Sequence, residues 1–226
     1  MASHPLDNPV WHALTGPHAS LSRRSGGAMA YRPEIALFAA VENPVAADMD
    51  GLAALIPNGG TLGFPYAGDI PLQGNVALAR KVDVLQMVAE HFVPMPISAE
   101  MVSIGAANKP AMVELVEMTK PGPFAPEAYR MGPFSGIFDA GRLVAMAGER
   151  MSLDGFSEVS AVCTHPDYRG RGYAKQLVSL RASDIVARGK TPFLHVFPNN
   201  AAAIATYERL GFVPRRTMTF TIVKRR

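Results

Sequence analysis

The sequence predicts an α/β protein built around a mixed β-sheet. Two observations support this fold class: strand-like and helix-like segments alternate from residue 156 to residue 223, and a β-hairpin pattern comes just before them. The chain has 226 residues, of which 48% are hydrophobic and 18% charged, as is usual for a globular protein with a hydrophobic core. This length allows one large domain or two small ones.

Turn residues and the spacing of apolar residues locate each element of the second half. A strand is expected at 102–107, a helix capped by Asn108 follows it, and Ala140–Gly141 forms the turn of the hairpin. After the hairpin we expect a strand at 156–166 and then a helix that ends at Gly189. A strand at 191–197, a helix from Asn200 to Gly211 and a last strand at 217–223 follow.

The first part of the chain gives fewer signals. Its best strand patterns are 34–42 and 76–88. Two prolines make 91–100 the best linker candidate, because neither can occupy a helix interior. We therefore predict two domains, an α/β domain of unassigned role at 1–97 and a larger domain at 98–226.

Composition argues against several classes of function. The net charge is only +3, which is small for a nucleic-acid-binding protein. The single cysteine, Cys163, allows no intrachain disulfide and favours a reducing compartment. The first residues lack the apolar core of a secretory signal, and no apolar run approaches the ~18 residues of a membrane span. We therefore expect a cytoplasmic protein with neither a nucleic-acid nor a membrane partner.

The stretch "CTHPDYRGRGYAKQLV" (163–178) places two glycines and two arginines directly before a helix. The start of a helix leaves backbone N–H groups without internal partners and carries partial positive charge. Gly170 and Gly172 would leave those groups accessible, while Arg169 and Arg171 add positive charge, so the loop is a candidate pyrophosphate site. The spacing fits neither a P-loop nor a dinucleotide-binding GxGxxG motif. A solvated basic turn is the alternative.

Two segments resemble signatures of the GNAT superfamily of acyl-CoA N-acyltransferases. Arg169-x-x-Gly172-x-Ala174 is similar to its R/Q-x-x-G-x-G/A signature, and "NNAAAIATYERLGF" (199–212) is similar to its N-x-x-A-x-x-x-Y-x-x-x-G-F segment. The resemblance covers residues 100–226 and implies a hairpin, a parallel strand pair and a final antiparallel strand in one mixed sheet. Some members carry an extra N-terminal half, and we predict a degenerate GNAT-like half-domain for the first part of this chain.

The resemblance implies that acetyl-CoA is the co-substrate and that it enters between the strands at 156–164 and 191–197. The backbone of residues 162–164 would pair with the pantetheine arm, and an N–H of Val162 or Cys163 would face the thioester oxygen. The N–H groups of residues 170–175 would bind the pyrophosphate. The cofactor-binding residues implied in this way are Val162, Cys163, Thr164, Arg169, Gly170, Arg171, Gly172, Tyr173, Ala174, Lys175, Asn200 and Ala203.

The implied reaction is transfer of an acetyl group to a primary amine by direct attack in a ternary complex. An alkyl amine has a pKa near ~10.4 and must lose a proton before it attacks. Glu158, eleven residues before Arg169, corresponds to the general-base glutamate of some members, whereas others use a chain of waters. Tyr207 corresponds to the tyrosine that protonates the departing CoA thiolate. The alternatives are a salt-bridged strand glutamate and a core tyrosine.

Other residues give weaker signals. Cys163 has no evident activating base and is expected to be a buried apolar residue rather than a covalent nucleophile. His165 and His195 have no partner at metal-ligand spacing, so no metal site is expected. Phe124 and Tyr129 are candidates to line the acceptor pocket.

Two function classes follow from these residues. The first is an acetyl-CoA-dependent N-acetyltransferase whose acceptor is an amine on a small molecule or peptide. The second is a non-catalytic acyl-CoA-binding regulatory module, which would keep the loop at 169–175 and lose the acid. The sequence leaves a homodimer open.

Overall fold

The computed structural model describes residues 4–43, 49–68 and 70–226. The strands in these ranges are β1 (Ser22–Ser25), β2 (Ala28–Tyr31), β3 (Ala39–Val41), β4 (Leu62–Tyr66), β5 (Val76–Val88), β6 (Val102–Ile104), β7 (Phe134–Asp139), β8 (Arg142–Leu153), β9 (Phe156–Thr164), β10 (Thr191–Val196) and β11 (Val213–Arg225). The helices are α1 (Pro9–Thr15), α2 (Met49–Leu55), α3 (Lys109–Thr119), α4 (Tyr173–Ala187) and α5 (Ala201–Glu208). In the part of the chain so described, none of the helices has the length and apolar character needed to cross a membrane.

Most of these strands form one large mixed sheet. Among the described residues it has eight strands in the order β4-β11-β5-β10-β9-β8-β7-β6, and β1, β2 and β3 form a small separate sheet. β9 and β10 run parallel, whereas the other paired neighbours run antiparallel. The predicted α/β class with a mixed sheet is confirmed.

Turn chemistry ends several elements where the sequence predicts. Ala140 (φ 47°) and Gly141 (φ 80°) both have positive φ, as a two-residue hairpin turn requires. Gly189 (φ 71°) follows α4 in the left-handed conformation that commonly ends a helix. At the start of α5, the side chain of Asn200 accepts a hydrogen bond from the N–H of Ala203 at 3.2 Å.

The long strand β5 comes from the first part of the chain but lies in the middle of the large sheet, between β10 and β11. Its pairing with β11 runs from Val76 opposite Arg225 to Val88 opposite Val213. This partner explains why β11 begins earlier and ends later than the predicted strand at 217–223.

Residues 1–97, predicted as an N-terminal domain, therefore share a sheet with the rest of the chain through β4 and β5. The described part of this segment also holds α1, α2 and the small sheet. Residues 1–3, 44–48 and 69 lie outside the described residues. A GNAT-like N-terminal half-domain stays a prediction.

Different parts of the chain cover the two faces of the large sheet. On the α4/α5 face, Val178 and Ile185 of α4 belong to the same apolar cluster as Leu194 of β10. On the opposite face, here called the α1/α3 face, Leu6 and Tyr31 belong to a cluster that includes side chains of β5, β8, β10 and β11. Burial of these apolar surfaces, at about 25 cal/mol per Å², fixes both layers against the sheet.

Candidate active site

The parallel strands β9 and β10 stay paired over only part of their length. Residues 191–193 pair with residues 156–158, and no pairing is recorded for these two strands further along. A cavity of about 200 Å³ opens there, lined by residues of both strands, of α5 and of the loop 121–124. Ala161 has a left-handed φ of 51° at a bulge where β9 slips against β8. The predicted separation of the two strands is present.

The glycine–arginine loop leads directly from β9 into α4. Gly170 (φ 79°) and Gly172 (φ 76°) have positive φ, which explains the two glycines better than a need for space, because a Cβ at Gly170 would meet no atom within 4 Å. Gly172 is the N-cap and offers no side-chain cap. Among the described residues, the backbone N–H groups of 170–175 donate no backbone hydrogen bond. The first backbone N–H after them that does so is that of Gln176, which donates to Gly172 O at 3.1 Å.

Positive side chains surround these free N–H groups. Arg169 and Arg171 are exposed, and the Arg171 guanidinium lies 4.6 Å from the ring centroid of Tyr168. The Tyr168 hydroxyl in turn donates to Asp139 at 2.6 Å. Tyr173, Ala174 and Lys175 form the first turn of α4, where the helix dipole favours an anion.

Tyr207, Asn200 and Val162 line the cavity from the α4/α5 face. The Tyr207 hydroxyl has no hydrogen bond recorded among the described residues, and burial raises its pKa to about 12. Ala203 lies one turn before Tyr207 on α5 and belongs to the same apolar cluster. Asn200 uses its side-chain oxygen to cap α5, which leaves its NH₂ group available.

Glu158 is fully buried and does not line the cavity. Its carboxylate accepts two hydrogen bonds from Arg150, at 2.8 and 2.6 Å, and lies 2.8 Å from Nδ1 of His195. Burial would raise the pKa of Glu158, but the charge and hydrogen bonds of Arg150, with the bond to His195, outweigh it and lower the pKa to about 2. Arg150 and His195 do line the cavity.

A chain of hydrogen bonds fixes the tautomer of His195. Arg215 donates a hydrogen bond to the side chain of Gln86 at 2.7 Å, and the atom that accepts it must be the amide oxygen, Oε1. The other amide atom of Gln86 is therefore the NH₂ group, which lies 2.9 Å from Leu6 O and 3.1 Å from Nε2 of His195. Because that NH₂ group can only donate, Nε2 of His195 accepts. Nδ1 therefore carries the proton and donates it to Glu158, so both ring nitrogens are occupied.

The other predicted residues lie as follows. Cys163 is buried, and burial raises the pKa of its thiol to about 12, which opposes thiolate formation. The hydroxyl of Thr164 is buried without a hydrogen-bond partner in the described part of the chain. Phe124 lines the cavity, whereas Tyr129 packs beside α3 and lines neither this cavity nor the one next to it. No group of three potential metal ligands occurs in the described ranges.

Sequence reasoning missed the residues that form the α1/α3 side of the cavity. Arg80 and Gln86 come from β5 and Arg150 comes from β8, which is far from β5 in the chain. Only the sheet brings Arg80 and Arg150 into one cavity, with Gln86 behind His195. The sequence does contain one signal for this side of the cavity. Glu149 and Arg150 are adjacent charged residues in an otherwise apolar strand pattern, and charged residues in a buried strand usually have a partner.

The comparisons with known proteins agree with the fold and cover the site. A family model described as "FR47-like protein" matches residues 134–221, which include the loop and Tyr207. An acetyltransferase assigned to the GNAT family from Novosphingobium aromaticivorans is 39% identical, with a TM-score of 0.91, and the match covers 99% of this chain and 100% of that chain. A GCN5-related N-acetyltransferase from Kribbella flavida has the same fold at 16% identity, with a TM-score of 0.65 and coverage of 98% and 96%.

Curated relatives match a shorter segment. An acetyltransferase from Yersinia pestis (strain Pestoides F) is 41% identical over 56 residues, which are 24% of this chain and 39% of that protein. The chain thus matches well under half the length of these curated relatives. The similarity to the Novosphingobium protein, in contrast, extends over the full length of both chains. This protein therefore belongs to the GNAT family of acetyltransferases.

Proposed function

We propose that the protein transfers an acetyl group from acetyl-CoA to a primary amine, by direct attack in a ternary complex. One observation carries the proposal: the cavity lies where β9 and β10 separate, and it is lined by Tyr207 and Asn200 of the α4/α5 face and by Arg150 and His195 of the opposite face. A donor bound on the first side can thus present its thioester to an acceptor bound on the second.

The free N–H groups of residues 170–175 support binding of the CoA diphosphate. Six adjacent donors at a helix start, with two arginines beside them, favour a ligand that carries two phosphates. The pantetheine arm would then lie along the unpaired edge of β9 and reach the NH₂ group of Asn200. Ala203 is small enough for the arm to pass.

Strand alternation identifies the groups of β9 that face this arm. The N–H of His165 bonds Val144 O on β8 at 2.8 Å, so the N–H and C=O groups of Val162 and Thr164 turn to the opposite edge. Beside the bulge at Ala161, the N–H of Val162 is the better candidate for the oxyanion of the tetrahedral intermediate, and Cys163 the weaker one. Preorganised donors of this kind contribute roughly 10²–10³ in kcat.

Tyr207 is proposed to donate the proton to the CoA sulfur. Its raised pKa keeps the phenol protonated at neutral pH, as a donor must be. A thiol has an ordinary pKa of ~8.5, so this phenol is the weaker acid and transfer of its proton to the thiolate is unfavourable by itself. The hydroxyl would first donate a hydrogen bond to the sulfur as the C–S bond breaks, and the proton that it then transfers would be replaced by a proton released from the amine.

The amine must lose its proton in a cavity whose described lining contains no carboxylate. Glu158 as general base stays a prediction, and its low pKa and its bonds to Arg150 and His195 favour a different role, that of holding those two side chains in place. Removal of a bound amine from bulk water in this cavity would lower its pKa, because burial disfavours the charged ammonium form. Water in the cavity would then carry the proton to solvent.

The test combines binding and turnover. Calorimetry with acetyl-CoA should give saturable binding, and release of the CoA thiol should require both an amine and the enzyme. Binding without transfer to any amine in a broad panel would favour the non-catalytic acyl-CoA-binding module. Absence of binding at millimolar acetyl-CoA would overturn the proposal.

A further inference from the structure

A second cavity lies directly beside the first on the α1/α3 face of the sheet. It measures about 280 Å³ and shares five residues with the first cavity: Pro123, Phe124, Arg150, Ser160 and Ala161. The shared wall thus includes the bulge residue Ala161, where the proposed donor would present its acetyl group. A group that fills the second cavity would lie next to the reacting atoms.

The second cavity is lined mainly by apolar side chains. They come from the first part of the chain, from the segment before β7 and from the first residue of β7, and they are Pro33, Ile35, Ala36, Leu37, Phe38, Pro123, Phe124, Ala125, Pro126, Ala128, Met131 and Phe134. The carboxylate in its lining, Glu149, is already bonded to Ser157 at 2.8 Å and to Arg188 at 2.7 Å. The cavity therefore suits an apolar group of the size of a leucine or phenylalanine side chain.

Arg150 separates the two cavities and has donors to spare. Nε and Nη2 bond Glu158, while no bond of Nη1 is recorded among the described residues. The guanidinium lies over the ring of Phe38, 5.0 Å from its centroid, which holds it in the dividing wall. Because Glu158 balances its charge, Arg150 by itself offers directed N–H groups rather than net positive charge.

Arg80 supplies the net charge. It is exposed on β5, lines the first cavity beside Ile222, and has no ion pair in the described ranges. With no carboxylate in the described lining of that cavity, an acceptor with a negative group is favoured over one with a second positive group.

From this arrangement, and on the basis of the proposed function, we propose that the acceptor is a free α-amino acid with an apolar side chain. Its carboxylate binds Arg150 and Arg80, its side chain fills the second cavity, and its amine points to the acetyl group at Ala161. The amine nitrogen forms the new amide bond, the C–S bond breaks, and the sulfur leaves with one proton while the second proton of the ammonium goes to water.

The substrate test compares L-leucine, L-leucinamide, 3-methylbutylamine and L-alanine at saturating acetyl-CoA, with rates expressed per neutral amine. Leucine should have a kcat/KM about 10- to 100-fold above each of the other three, since each lacks the carboxylate or most of the side chain. An equal or better rate with leucinamide or 3-methylbutylamine would refute the carboxylate contact. An equal rate with alanine would refute the side-chain site.

Two variants, each with a matched control, locate the contacts. Arg80→Gln should lower kcat/KM for leucine about tenfold and leave leucinamide nearly unchanged, whereas Lys224→Gln, which removes an exposed charge elsewhere on the sheet, should change neither. Ala36→Leu, which fills the second cavity, should affect leucine more than alanine. The exposed Ala54→Leu on α2 is its control.

The donor provides the competing occupant of the second cavity. If isovaleryl-CoA reacts faster than acetyl-CoA and Ala36→Leu abolishes that preference, the cavity holds the acyl chain and the inference is wrong. If none of the four amines is acetylated, the inference is wrong as well. In that case, saturable binding of acetyl-CoA and acetylation of any other amine would show that the protein is still an acetyltransferase, with a different class of acceptor.

Discussion

The two sides of the cavity are assembled in different ways. On the α4/α5 face, the site comes from one continuous stretch, β9, the loop and the start of α4, with Asn200 and Tyr207 added by α5. On the α1/α3 face, it comes from strands and loops that are far apart in the chain, including residues 33–38 and Arg80. The first side offers backbone N–H groups to a ligand that we expect to be common to the family. The second offers side chains that can differ from one member to the next.

The largest expected effect concerns the buried ion pair behind the second side. Arg150→Met should lower the free energy of unfolding by about 3–5 kcal/mol, because it leaves the Glu158 carboxylate buried without its cation. Urea unfolding of the full chain measures this loss, and the double variant Arg150→Met/Glu158→Leu should recover part of it.

Arg142→Met is the matched control. Its ion pair with Glu114 is long, at 3.8 Å, and exposed, so the loss should stay below about 1 kcal/mol. If Arg150→Met and Arg142→Met lowered the free energy of unfolding equally, the buried pair would contribute no more to stability than the exposed one.

Acid should weaken the same pair. The pKa of Glu158 is lowered from its ordinary 4.5 to about 2 in the folded protein, so its contribution to stability is present above pH ~4.5 and is lost as the pH falls toward 2. Unfolding free energies measured across this range should fall more steeply for the wild type than for the Arg150→Met/Glu158→Leu variant. Parallel curves would show that Glu158 does not carry this pH dependence.

On the first side, the largest effect should come from the hydroxyl of Tyr207. Tyr207→Phe should lower kcat about 100-fold and change the Kd of acetyl-CoA little, because the ring still packs while the proton donor is lost. Steady-state kinetics and calorimetry separate the two quantities. Tyr129→Phe, which lines neither cavity, should behave like the wild type. An unchanged kcat in Tyr207→Phe would remove Tyr207 from the mechanism.

The smallest effect concerns the loop. Gly172→Ala and Gly189→Ala place alanine at similar positive φ values, 76° and 71°, at the two ends of α4, and each should cost about 1 kcal/mol of stability. Only Gly172→Ala should also weaken acetyl-CoA binding, by roughly tenfold, because it disturbs the free N–H groups. Calorimetry at one temperature is sufficient, and equal affinities for the two variants would count against the loop as the diphosphate site.

The contrast between the sides also explains what the sequence could and could not predict. The hairpin turn, the Gly189 stop, the Asn200 cap and the loop before α4 depend on neighbouring residues, so local pattern was sufficient for them. The position of β5 between β10 and β11 depends on pairing across more than a hundred residues, which no local pattern encodes.

The site divides in the same way. Glu158 was visible in the sequence, but its partner Arg150 and the donor chain through Gln86 and Arg215 appear only in the folded sheet. Periodicity reports which face of a strand a residue occupies, and it does not report which distant side chain it meets there.

A crystal structure of the protein with acetyl-CoA and without an acceptor would test the proposed donor site. We expect the diphosphate to lie within hydrogen-bond distance, ~3 Å, of the N–H groups of residues 170–175. We also expect the thioester to lie between β9 and β10, with its sulfur near the Tyr207 hydroxyl. A diphosphate bound elsewhere, or a thioester outside the space between these two strands, would show that the donor site is wrong.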